Sequence, residues 1–121
     1  MNRLPLLLIA LLLGLSTLSA AAAPEAYRVK DVPNVQLTDR TCFVSDPADA
    51  IRPADEEALN RRIAALRDSF GVQIAIVVIP AYDGSAYNSV HASAHELFNT
   101  WGIGNRETNR GLLILLRGCS A

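Results

Sequence analysis

Two stretches of the chain carry apolar residues at the spacing of an amphipathic helix. The first runs from Pro53 to Phe70, where Pro suits the first helical turn and Gly71 suits a left-handed stop. The second ends at Trp101 and is followed by Gly102. Because apolar side chains three or four positions apart share one helix face, both stretches predict helices that pack on a core. The repeating residues are Leu59, Ile63, Leu66 and Phe70 in the first, and Val90, Ala94, Leu97, Phe98 and Trp101 in the second.

Two other runs, residues 72–79 and 112–116, are aliphatic without alternation, which predicts strands buried on both faces. Pro80 ends the first run and Gly111 leads into the second. A helix between two strands with short connections indicates a βαβ unit with parallel strands and a right-handed crossover. We therefore predict an α/β fold: a βαβ core with parallel strands and packed helices, part of an αβα sandwich.

The domain is predicted to occupy residues 41–117, with a tail at 118–121. Residues 24–40 are rich in Pro, Asp, Asn and Thr without a sustained period, and are expected to form an extended lead-in. One short strand is predicted near 41–44. Two strands buried on both faces need more neighbours than the chain supplies, so we expect an incomplete version of a longer domain.

The first 23 residues have the composition of a signal peptide. Arg3 precedes an apolar run from Leu4 to Leu18, and small residues follow up to Ala23. This pattern predicts export, to the periplasm, the cell surface or the medium. The run approaches the length of a membrane span, so an uncleaved N-terminal anchor is the alternative.

The charge balance and the motifs exclude several classes of function. With 11 basic and 12 acidic residues, the chain lacks the basic excess of a nucleic-acid-binding protein. It also has no phosphate-cradling loop of the kind that binds nucleotides, and no nucleophile motif, so no catalytic residue is assigned.

Two cysteines, Cys42 and Cys119, could form a disulfide in an oxidising compartment, or could both be small buried apolar residues. His91 and His95 are four residues apart and share a helix face, but they lack a third ligand and are expected to be solvated.

Three acidic residues are candidate ligands for a hard divalent cation, calcium or magnesium. Asp83 follows the first long strand, at the edge where ligands gather in parallel sheets. Glu107 precedes the second strand and is therefore expected at the opposite edge, and Asp46 lies in the turn before the first helix. The alternative is that all three are turn residues facing water.

Several segments, in this order, resemble the TPM-domain family over about residues 32–117. The most specific is the block 96–104, which contains Trp101, Gly102 and Gly104 and is followed by the aliphatic strand that Gly111 introduces. The other matching segments are 32–34, 52–56, 71–78 and 109–116.

The resemblance implies an α/β sandwich of which this chain holds the N-terminal half. It also implies an accessory role toward envelope or membrane proteins, with divalent-cation binding or phosphatase-like activity in some members. Family members often carry Asp-Asn-Gly before the second strand, where this chain has Asn109, Arg110 and Gly111. A carboxylate is thus replaced and a positive charge added, so we expect a non-catalytic binding module. The alternatives are a metal-dependent phosphatase-like hydrolase and a degenerate fragment of a longer TPM protein.

Overall fold

The computed structural model describes residues 26–104 and 107–118. Three strands form one parallel sheet in the order β1-β2-β3, with β2 in the centre. The elements are two 3-10 turns at Val29–Asp31 and Val35–Leu37, β1 at Val44–Ser45, α1 at Pro53–Phe70, β2 at Gln73–Ile79, α2 at Val90–Trp101 and β3 at Gly111–Arg117. The predicted α/β class, both helices and the parallel pairing are confirmed. The short strand expected near 41–44 is displaced to β1.

Local sequence accounts for the helix ends. Helix α1 starts with Pro53 at its first turn and stops at Gly71, whose φ of 66° is left-handed and whose N–H donates to the carbonyl of Arg67 at 2.8 Å. Helix α2 is capped by Ser89, whose side chain accepts a hydrogen bond from the N–H of Ala92. Gly102 ends α2 in the left-handed region, with φ of 63°.

The two helices lie on opposite faces of the sheet. On the α1 face, Ile63 packs with Ile76 and Val78 of β2. On the α2 face, Leu97 packs with Val77 and Ile79. Strand β2 is therefore buried from both sides, as its continuous apolar run predicted.

Strand β3 is not buried on both faces, and the prediction for residues 112–116 is wrong in that respect. Leu113 and Leu115 pack against the cluster on the α2 face. The alternate residues Leu112, Ile114 and Leu116 remain 49 %, 38 % and 50 % exposed. The reason is position: β3 is the edge of the sheet, and α1 packs on β1 and β2.

The lead-in belongs to the core. Tyr27 is 2 % exposed, and Val29 and Val32 are buried in the same cluster as Leu97. Backbone pairing fixes this segment, because the N–H of Tyr27 donates to the carbonyl of Ala81 at 2.8 Å.

The predicted signal peptide at 1–23 and the tail residues 119–121 lie outside the described residues. Within the part of the chain that is described, no helix has the length and apolar content needed to cross a membrane.

The loop after α2 passes very close to the start of β3. A Cβ added at Gly111 would lie 2.7 Å from the Cα of Gly104 and 2.8 Å from the carbonyl oxygen of Ile103. These are backbone atoms that cannot rotate away, so only glycine allows the loop to cross the strand here.

Gly111→Ala should therefore destabilise the protein by about 1–3 kcal/mol, because the added methyl group forces two backbone segments apart. Gly84→Ala is the matched control, since a Cβ at Gly84 has nothing within 4 Å. The measurement is the midpoint of urea unfolding, monitored by circular dichroism. Equal midpoints for the two variants would show that the crossing is looser than described.

Candidate functional site

Three carboxylates converge between β1 and α1. Asp46, Asp49 and Glu56 each offer an oxygen, and these oxygens all lie within 4.8 Å of one another. Asp46 comes directly after β1, and Glu56 lies in the first turn of α1. The cluster thus occupies the carboxyl side of a parallel strand, where ligands commonly bind in open α/β sheets.

The turn holds Asp46 in a fixed orientation. Its Oδ1 accepts the N–H of Ala50 at 2.9 Å, and its Oδ2 accepts the N–H of Ile51 at 2.6 Å. Asp49 has a left-handed backbone, with φ of 57°. Because each carboxylate oxygen has two lone pairs, Asp46 can hold the turn and still ligate a cation.

The environment disfavours a negative charge on Glu56. Burial raises the pKa of its carboxyl, and the hydrogen bond and charge of Asp46, together with the charge of Asp49, raise it further. A bound cation would offset this repulsion, which is the electrostatic condition expected of a cation site.

The structure separates the three ligands predicted from sequence. Asp46 belongs to the acidic cluster, whereas Asp83 and Glu107 do not. Glu107 is exposed in the turn before β3. Asp49 and Glu56 were not predicted as ligands, although both stand in the turn and helix start that the sequence did indicate.

Asp83 ties the lead-in to the loop after β2. Its Oδ1 accepts hydrogen bonds from the backbone and the hydroxyl of Ser85, and its Oδ2 forms an ion pair with Arg28 at 2.7 Å. The hydrogen bonds from Ser85 and the Arg28 guanidinium hold the pKa of Asp83 well below its usual range. Asp83 therefore has a structural function in this fold.

The remaining candidates do not form a site among the described residues. His91 and His95 are both exposed, with ring centroids 6.4 Å apart, and belong to no group of three ligands in the described ranges. Cys42 is partly buried, and Cys119 lies outside the described residues, so their disulfide stays a prediction. Trp101 is partly buried against the α2-face cluster.

Arg110, the residue that departs from the common family turn, has a structural partner. Its Nη1 donates to the carbonyl oxygen of Phe70 at 2.7 Å. That carbonyl ends α1, where unpaired acceptors and the helix dipole favour a positive charge. Arg110 thereby fastens the end of α1 to the start of β3.

A groove of about 410 Å³ lies near the amino ends of the strands, between Phe43, Arg67 and Trp101. Most of the polar groups on its walls serve the fold. Gln36 donates to the carbonyl of Cys42, Gln73 accepts from the N–H of Gly104, and Arg67 lies over the Phe43 ring. We therefore interpret this groove as a packing gap.

The fold defines a three-layer α/β domain on a short parallel sheet, with an acidic cluster beyond β1. The chain belongs to the TPM-domain family, whose model, described as "TPM domain", matches residues 44–118. It is similar to the solution NMR structure of the N-terminal domain of a protein from P. gingivalis, with 36 % identity and a TM-score of 0.64. That match covers 77 % of this chain and 59 % of the other. A search of curated proteins found no match.

The raised pKa of Glu56 predicts how stability depends on pH. Because the folded state holds the Glu56 proton more tightly than the unfolded chain, this group stabilises the fold below its usual pKa of 4.5, and the contribution is lost as pH rises through the folded value. In EDTA, Glu56→Gln should therefore be more stable than the parent at pH 7, with the difference disappearing near pH 4. Urea midpoints at both pH values measure it.

The control is Glu57→Gln on the same helix turn. Glu57 is exposed and faces Arg61 at 3.6 Å, so its replacement should leave stability unchanged or slightly reduced at pH 7. A Glu56→Gln protein less stable than the parent at pH 7 would contradict the repulsion.

Proposed function

We propose that this chain is an exported accessory module that binds envelope or membrane proteins and has no catalytic centre of its own. The observation that supports this proposal is an uncovered apolar surface, here named the α1-side face. It consists of Leu66, Phe70, Leu112, Ile114 and Leu116.

The α1-side face draws its residues from two elements. Phe70 is 61 % exposed and Leu66 is 39 % exposed at the end of α1. The hydrogen bond from Arg110 to the carbonyl of Phe70 places this helix end beside the start of β3. Parallel register then aligns Leu112 with Ile74 and Ile114 with Ile76, on the side of the sheet that α1 covers.

An apolar surface spanning a helix and a strand is costly to leave in water. Burial of apolar area contributes roughly 25 cal/mol per Å², and contiguous patches of a few hundred Å² on soluble domains commonly mark interaction sites. Because these five side chains are spread over a helix end and a strand, and none of them lines the groove of about 410 Å³, the surface suits a polypeptide partner better than a small molecule.

A photo-crosslinking residue at Phe70 tests the proposal in the full chain expressed in its native host. We expect adducts with an envelope or membrane protein, identified by mass spectrometry. Arg62, exposed on α1, is the matched control position and should give none. Absence of adducts at Phe70, or equal adducts from both positions, would count against a binding role for this face.

The acidic cluster favours a second candidate function, a divalent-metal-dependent phosphatase-like hydrolase. Calcium binds six to eight oxygens, and Asp46, Asp49 and Glu56 supply three carboxylates within 4.8 Å of one another. Further ligands and a bound water would be needed for hydrolysis.

Calcium or magnesium should raise the melting temperature of the full chain if the cluster binds the ion. A ligand at a hundred times its Kd contributes about 2.7 kcal/mol to the free energy of unfolding. The double variant Asp49→Asn, Glu56→Gln should lose this response. Turnover of p-nitrophenyl phosphate that requires the ion would favour the hydrolase.

The variant Asp83→Asn distinguishes a cation site at the acidic cluster from the site predicted from sequence, which included Asp83. It breaks the ion pair with Arg28 but leaves the cluster intact, so the melting temperature should fall while the cation response persists. A response lost only in Asp83→Asn would instead support the site expected from sequence.

A further inference from the structure

The outward face of α2 carries two histidines about one helical turn apart. His91 and His95 are both exposed, with ring centroids 6.4 Å apart and ring planes inclined by 31°. Side chains four positions apart are neighbours on a helix surface, so both imidazoles can reach one ion. No His, Cys, Asp or Glu of the described residues joins them as a third ligand, and they therefore form no closed metal site. An open site, in which two protein ligands and water share the ion, needs only the pair.

The helix that presents this pair is fixed at both ends and along its inner side. Ser89 caps its start, and Gly102 ends it in the left-handed region. On the side opposite the histidines, Ser93 and Leu97 are only 4 % and 1 % exposed. The spacing of the two imidazoles is therefore set before any ion binds, and binding does not have to order the chain.

The ring nitrogens of the pair are not engaged by charged groups. None of the ion pairs within residues 26–104 and 107–118 involves either histidine. The Nδ1 of His95 lies 3.3 Å from the Nδ2 of Asn99, which leaves Nε2 of His95 as the ligand atom. A metal-bound imidazole donates its other ring N–H to a neighbour, and the side-chain oxygen of Asn99 can accept it once the amide turns over.

We propose that His91 and His95 together bind one copper(II) ion, with water in the remaining coordination positions. Copper(II) accepts tetragonal sets of nitrogen and oxygen ligands, and it binds a given set more tightly than the other divalent first-row metals do. Zinc sites use three or four protein ligands in a tetrahedral arrangement, which this pair does not supply. The positive end of the helix dipole lies near His91 and opposes any cation, so the metal with the strongest affinity for imidazole is favoured. This inference does not rest on the proposed function.

Titration of the full chain with copper(II) at pH 7 tests the site, with Cys42 and Cys119 changed to Ala because thiolates also bind copper. The electron paramagnetic resonance spectrum of the bound ion should show two coordinated nitrogens. The melting temperature should rise by several degrees, because the unfolded chain does not hold the two imidazoles at a fixed spacing and the ion therefore stabilises the folded state.

Loss of one imidazole should weaken copper binding about a hundredfold, because the second ligation step is then no longer intramolecular. The variant His91→Ala measures this loss. The double variant His91→Ala, Asn99→His is the matched rescue, since it again places two imidazoles four positions apart on the same exposed helix face, and it should restore the affinity. The double variant Asp49→Asn, Glu56→Gln should leave copper binding unchanged, because the acidic cluster lies at the start of α1 on the other face of the sheet.

Three outcomes would overturn the copper site. The first is an affinity that His91→Ala leaves unchanged, and the second is a resonance spectrum with fewer than two coordinated nitrogens. The third is a rescue variant that binds copper no better than His91→Ala. Copper held by the acidic cluster would be recognised by its loss in Asp49→Asn, Glu56→Gln and its retention in His91→Ala, and this result also refutes the inference.

Discussion

The structure depends on the burial of β2 between two helices. Val77 is fully buried under α2 while its neighbours Ile76 and Val78 are buried under α1, so the strand contributes to both hydrophobic clusters. Strands β1 and β3 both pair with β2, and each helix packs on one of the two faces of β2. Because the pairing is parallel, each connection must return across the sheet, which is why a helix follows each of the first two strands.

Because the strands are parallel, their amino ends lie together on one side of the sheet and their carboxyl ends on the other. At the amino ends, the close contact of Gly104 with Gly111 and the hydrogen bond of Arg110 hold α1, α2 and β3 together. At the carboxyl ends, Asp46 begins the acidic turn and Asp83 forms an ion pair with Arg28 of the lead-in. Positive charge is thus placed where α1 ends, and the carboxylate cluster where α1 begins, both in accord with the helix dipole.

The sequence predicted where the helices and strands lie better than which of their faces are buried. Helix periodicity and the glycines after Phe70 and Trp101 are local signals, so the existence of both helices and the residues at which they end followed from them. The prediction that β3 is buried on both faces was wrong, because an aliphatic run looks the same in a central strand and in an edge strand with one uncovered face. The core position of Tyr27 was missed since the lead-in has no period. Asp46 was predicted as a candidate ligand, but its proximity to Asp49 and Glu56 arises from the turn geometry and could not be predicted.

The exposed side of β3 follows from how the two helices share the sheet. Leu113 and Leu115 pack against the cluster on the α2 face, whereas α1 lies over β1 and β2 and leaves Leu112, Ile114 and Leu116 exposed. Burial of apolar area contributes roughly 25 cal/mol per Å², so a partner that covers these side chains gains affinity without any change in the fold. The same offset of the helices that buries β2 on both faces therefore creates the surface that we propose as a binding site.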